Sequence, residues 1–141
     1  MLSVGKRGPR LVCLLIAGLL GVVAPAAARD GKDDREARVT GVCRAGVTVE
    51  LKVKADDGRL EVELEVDQNR AGVVWRVALV HERRLAWRGS ARTRRPSGSF
   101  EVRRLLPDLA GSDTVTARAW GPGGITCRAT VTLQGPWMVD R

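Results

Sequence analysis

Two stretches of strict apolar–polar alternation, 47–54 and 60–67, constrain this chain more than any other feature. Val47, Val49, Leu51 and Val53 alternate with Thr48, Glu50, Lys52 and Lys54. After a short break, Leu60, Val62, Leu64 and Val66 alternate with Glu61, Glu63, Glu65 and Asp67. A period of two sends successive side chains to opposite faces, so each stretch reads as a half-buried strand. Asp57-Gly58 between them suits a two-residue type I′ turn, which needs positive φ at both positions. That turn sets a register. It places Asp56 opposite Arg59, Lys54 opposite Glu61, Val53 opposite Val62, Lys52 opposite Glu63 and Leu51 opposite Leu64. Opposite charges then meet on the wet face and apolar residues meet on the other.

Further runs rich in Val, Leu and Thr follow the same grammar at 39–43, 73–80, 85–91, 98–105, 113–120 and 125–133, separated by Gly, Asp, Asn, Pro and Ser. Their inward residues are expected to be Trp75, Val77 and Leu79; Leu85 and Trp87; Phe100 and Val102; Val115, Ala117 and Ala119; and Ile125, Cys127, Ala129, Val131 and Leu133. Gly121-Pro122-Gly123-Gly124 is the turn before the last run. No segment carries a helical apolar stripe. The pattern predicts an all-β domain, an immunoglobulin-like antiparallel β-sandwich of about seven or eight strands after an N-terminal signal helix. Cys43 and Trp75 lie too far apart in sequence for a true immunoglobulin domain, so the likeness is one of architecture.

The first 28 residues read as a secretory leader. Lys6, Arg7 and Arg10 form its basic region, 11–24 its apolar run, and Pro25 with Ala26, Ala27 and Ala28 its cleavage region. The apolar run falls short of the ~20 residues a bilayer span needs, so membrane attachment follows only if the leader is retained uncleaved. The remaining chain divides into a flexible charged arm at 29–37, the sandwich at 38–134 and a tail at 135–141. Removal of the leader takes Cys13 with it and leaves Cys43 and Cys127. An even pair in an exported chain reads as one disulfide. The expected location is secreted, extracellular or in the cell envelope.

The whole chain has a formal net charge of +8, part of which belongs to the leader. Arginine is concentrated at 83–104, where Arg83, Arg84, Arg88, Arg92, Arg94, Arg95, Arg103 and Arg104 face only Glu101 as an opposing charge. Guanidinium groups bind phosphate and carboxylate bidentately, so Arg92, Arg94 and Arg95 on an exposed loop at 92–98, supported by Arg83, Arg84 and Arg88, are candidate anion ligands. The partner would be an anionic cell-envelope polymer or a protein. The competing reading is a solvated face that balances Glu61, Glu63 and Glu65. Nucleic acid is not expected, since the chain is exported, shows no binding motif and has few aromatics for stacking.

Catalysis has little support. His81 is the single histidine and there is no G-x-S-x-G nucleophile motif. No metal-ligand spacing and no cofactor motif is visible, so neither a metal nor a cofactor is expected. Trp120 and Trp137 are candidate contact residues or caps of the β core. The leading expectation is a secreted binding or interaction module that engages an anionic envelope component through its arginines. The alternatives are a passive structural envelope protein and a small secreted enzyme inhibitor that presents the 92–98 loop.

Four segments together resemble small secreted β-sandwich proteins of high-GC Gram-positive bacteria. They are Cys43 after Thr40-Gly41, LEVELEVDQNRAGVVWRVALVHE, RRPSGSFEVRR, and TCRATVTL in the final strand. The resemblance spans roughly residues 38–133. It implies export and a sandwich fold, and carries no catalytic or binding residues with it.

Overall fold

The computed structural model describes residues 34–136. The leader at 1–28, the first part of the charged arm and the end of the tail, with Trp137, lie outside the described residues. Nine strands form within them: β1 (Glu36–Thr40), β2 (Val42–Cys43), β3 (Thr48–Asp56), β4 (Arg59–Asp67), β5 (Val74–His81), β6 (Arg84–Arg92), β7 (Ser99–Pro107), β8 (Asp113–Trp120) and β9 (Thr126–Leu133). They build two antiparallel sheets. One has four strands in the order β1-β3-β4-β7, the other five in the order β2-β9-β8-β5-β6. The result is a β-sandwich that shares the two-layer architecture of immunoglobulin-like domains.

The β3–β4 hairpin takes the register set by its turn, from Asp56 opposite Arg59 to Leu51 opposite Leu64. Asp57 (φ 48°) and Gly58 (φ 75°) supply the two left-handed positions. The apolar faces of the sheets meet in one core, in which Leu51, Val53, Leu60, Val62, Leu64, Val66, Trp75, Leu79 and Val115 have no solvent exposure. Trp75 anchors it. Its Nε1–H donates to Gln68 Oε1 at 3.0 Å, and its ring packs tilted on Phe100 with centroids 6.1 Å apart. A buried indole needs such a partner for its N–H.

Three sequence expectations are corrected. The run at 39–43 is two strands, which raises the count to nine: β1 pairs with β3 in one sheet, and β2 pairs with β9 in the other. Gly41 is the crossing point. A Cβ there would lie 2.3 Å from the Arg128 carbonyl oxygen and 2.7 Å from Ala129 Cβ, so the backbone passes where only glycine fits. Alternation cannot reveal a change of sheet, because it continues unbroken through one.

The ordered domain also begins earlier than residue 38. Glu36 and Ala37, read as part of the flexible arm, pair with Lys54 and Val53, and Arg35 Nη2 reaches Asp108 Oδ2 at 2.8 Å. Without β1 the long strand β3 would be an open edge. Leu85, expected inside, is 56% exposed. Leu79 pairs with Trp87 but Val80 pairs with Leu85, so Ala86 is an extra residue, and this bulge turns Leu85 to the outer face.

The disulfide joins Cys43 to Cys127, as the cysteine count requires. The two are directly opposed on β2 and β9, with Cα atoms 4.3 Å apart, so the bond staples neighbours within one sheet. Among the described residues no helix is long and apolar enough to cross a membrane.

Candidate functional site

The two outer faces of the sandwich differ sharply in charge. On the four-stranded sheet, acids and bases alternate and pair. Lys52 Nζ lies 2.8 Å from Glu63 Oε2, Arg38 Nη1 lies 3.0 Å from Glu50 Oε1, and Arg103 touches Glu61, Glu63 and Glu101. Of the arginine-rich stretch 83–104, Arg103 is the member that balances the acidic hairpin.

The five-stranded sheet is different. Its outward positions are Val74, Arg76, Ala78 and Val80 on β5; Leu85, Arg88, Ser90 and Arg92 on β6; Thr114, Thr116, Arg118 and Trp120 on β8; and Thr126, Arg128, Thr130 and Thr132 on β9. None is acidic. Among the described residues, no carboxylate forms an ion pair with Arg76, Arg88, Arg92, Arg118 or Arg128. Glu82 sits at the rim, but its Oε1 accepts the Thr114 backbone N–H.

Strand register arranges these cations. Arg88 is opposite Ala78, Ala78 opposite Arg118, and Arg118 opposite Arg128. With neighbouring strands about 4.8 Å apart, that row runs roughly 14 Å across the sheet. One step along, Arg76 is opposite Trp120, and its guanidinium carbon lies 6.0 Å from the ring centroid. A shallow groove of about 540 Å³ lies over β5 and β6, bordered by Arg76, Ala78, Leu85, Arg88, Ser90 and Trp120, and a separate cleft is lined by Glu82, Arg83, Arg118 and Arg128. Threonines fill the rest of the face, and facing hydroxyls of Thr116 and Thr130 lie 2.9 Å apart. Close like charges with no carboxylate to neutralise them attract anions, and guanidinium forks hold them bidentately.

The six arginines singled out from sequence are not all brought together. Arg88 and Arg92 stand on this face, with Arg92 Nη1 also donating to the Gly72 carbonyl at 3.1 Å. Arg83 and Arg84 lie at the β5–β6 turn, at one end of it. Arg94 and Arg95 follow β6, and Arg94 borders a separate cleft of about 410 Å³ between the β6 and β7 edges. Their segment is anchored at its base, while Arg94, Arg95, Pro96 and Ser97 are exposed. Thr93 is buried, its hydroxyl donating to the Arg70 carbonyl at 2.6 Å and accepting the Val73 N–H at 2.9 Å. Sequence reasoning passed over Arg76, Arg118 and Arg128, which are isolated among apolar neighbours in sequence. The signal for them was the alternation itself, which placed all three outward.

A second polar cluster lies at the end of the sandwich where β5 finishes and β8 starts. His81 Nε2 is 2.6 Å from Asp113 Oδ1; the histidine is 6% exposed and the aspartate not at all. Asp113 Oδ1 also accepts the Leu109 N–H at 3.3 Å, while Oδ2 has no hydrogen-bond partner. Burial first, and then the neighbouring Asp113 carboxylate, raises the Asp108 carboxyl above its usual range, against the pull of Arg35. In sequence His81 and Asp113 stand far apart, and nothing marks them as partners.

No protein-family profile and no curated protein matches the chain. Among solved structures, the chain is similar to chicken MD-1, whose structure is described as complexed with lipid IVa. The identity is 10%, the overlay covers 72% of this chain and 99% of that one, and the TM-score is 0.29.

Proposed function

We propose that this protein is an exported, disulfide-stapled binding module, not an enzyme, that holds an anionic polymer of the cell envelope against the outer face of its five-stranded sheet. The observation that carries this reading is the set Arg76, Arg88, Arg92, Arg118 and Arg128 on one face with no acidic residue among them. A face kept only for solubility is usually interspersed with both signs, as the four-stranded sheet is here. A row of guanidinium groups suits a linear polymer that repeats phosphate or carboxylate. Trp120, beside Arg76, offers a flat surface for a sugar ring. Export of the chain, and its kinship with secreted sandwich proteins of high-GC Gram-positive bacteria, belong to the same proposal.

The test is retention of the purified, oxidised protein on isolated cell envelope across a salt titration. Retention is expected to fall steeply with salt. It should be largely lost in R76S/R118S/R128S and mostly kept in R94S/R95S, with both variants folded. Salt-insensitive retention, or equal retention by the sheet-face variant, would overturn the assignment.

A further inference from the structure

We propose that His81, Glu82 and Asp113 form a binding site for a divalent transition metal, Zn²⁺ in the first instance, at the end of the sandwich where β5 finishes and β8 starts. The site rests on observations other than those behind the polyanion reading, and Glu82 also borders the cleft that holds Arg83, Arg118 and Arg128. One donor atom from each residue can be chosen so that all three lie within 4.8 Å of one another. Zinc bonds of about 2.0–2.2 Å to nitrogen and oxygen place tetrahedral ligands roughly 3.4 Å apart, so side-chain movements on the order of 1 Å would close the site. Backbone topology supplies the frame. His81 is the last residue of β5, Glu82 the first of the β5–β6 turn and Asp113 the first of β8, the strand paired with β5.

The second observation is the unsatisfied carboxylate. Asp113 is fully buried, and its Oδ2 has no hydrogen-bond partner. A buried carboxylate oxygen left without a donor is costly. His81 cannot repair this, since its nearby nitrogen is engaged with Oδ1. A cation between the imidazole and the two carboxylates satisfies Asp113. Glu82 is ready for it, because the Thr114 N–H occupies Oε1 and leaves Oε2 without a hydrogen bond. An imidazole with carboxylates suits zinc, and three protein ligands leave a fourth position for water. The ion would tie the β5–β6 turn to β8.

The chain has a single histidine, so its imidazole signals report on one place only. Chelator-treated, oxidised protein is titrated with Zn²⁺ while the His81 ring resonances and the melting temperature are followed. The expected result is a ring shift that saturates at one equivalent, with a melting temperature that rises with Zn²⁺ concentration. E82Q keeps an oxygen for the Thr114 N–H and should fold normally, but it should bind Zn²⁺ at least about tenfold more weakly. H81Q should lose the thermal response. No ring shift at millimolar Zn²⁺ would overturn the proposal. An undiminished shift in E82Q would overturn it as well.

Discussion

The guanidinium carbon of Arg104 sits 4.1 Å from the ring centroid of Trp87, across the gap between the edge strands β7 and β6. Arg104 occupies an inward position of β7, opposite Val62, in line with Phe100, Val102 and Leu106. An apolar residue is the ordinary choice there. The sheets do not pair along this side, so the long arginine stem covers the seam while its head reaches water. R104A is expected to lower unfolding stability by about 1 kcal/mol through lost cation–π contact and packing. R104M, which keeps the stem, should recover part of it. Urea denaturation of the three proteins checks this.

The Cys43–Cys127 bond holds a two-residue strand, β2, against β9. C43S/C127S should lose about 2–4 kcal/mol of stability. The sandwich should remain folded, because its buried core spans both sheets without the bond. Hydrogen exchange should show protection lost first along β2 and its partner stretch of β9. Equal loss of protection across both sheets would contradict a local staple.

Lys52 and Glu63 face each other on the mixed-charge sheet, and each is less than a quarter exposed. The hydrogen bond from Lys52 holds the Glu63 carboxyl below its ordinary value of 4.5, and the same bond raises Lys52 above 10.5. A depressed carboxyl stabilises the fold above its unfolded value and loses that contribution as pH falls. A raised amine contributes below its unfolded value and loses it as pH rises through the folded one. E63Q should therefore cost about 0.5–1 kcal/mol at neutral pH, with the difference from wild type closing as pH falls below the ordinary carboxyl value of 4.5. Denaturant midpoints at a series of pH values give the curve.

Gly98 lies at φ 76° and packs so tightly that a Cβ would stand 2.2 Å from the Arg70 amide nitrogen. G98A should destabilise the domain by more than about 2 kcal/mol, combining backbone strain with a clash against main chain. T93V removes the hydroxyl that serves both Arg70 and Val73 and should cost about 1–3 kcal/mol. Both are measured by thermal unfolding. A neutral result for either would mean that the turn after β6 is free of the β4–β5 loop.

Much of the fold was legible because strand alternation and turn chemistry are local. Val53 opposite Val62 and Lys52 opposite Glu63 could be paired from Asp57-Gly58 alone, and the structure has those pairs. The inward positions of Trp75, Val77, Leu79 and Cys127 were equally plain. Leu85 was misplaced because a bulge is one extra residue, with no composition signal in Ala86 to announce it. The candidate face was half legible. Arg88 and Arg92 were named, but Arg76, Arg118 and Arg128 were not, since a local concentration of arginine draws attention to sequence neighbours and a sheet gathers residues from distant strands.

The sequence by itself determined the class of fold, the register of its first hairpin, the pairing of Cys43 with Cys127 and the excess of positive charge. These follow from a period of two, a two-residue turn and a count, none of which requires knowing which strands are neighbours. Only the tertiary structure decided the rest. Gly41 sends β1 and β2 to different sheets because β9 passes too close for a side chain. The β5–β6, β5–β8 and β8–β9 pairings line up Arg88, Arg118 and Arg128, and the β5–β8 pairing brings Asp113 to His81. Cross-strand neighbours are set by the packing of two whole sheets, and that is a property of the assembled chain.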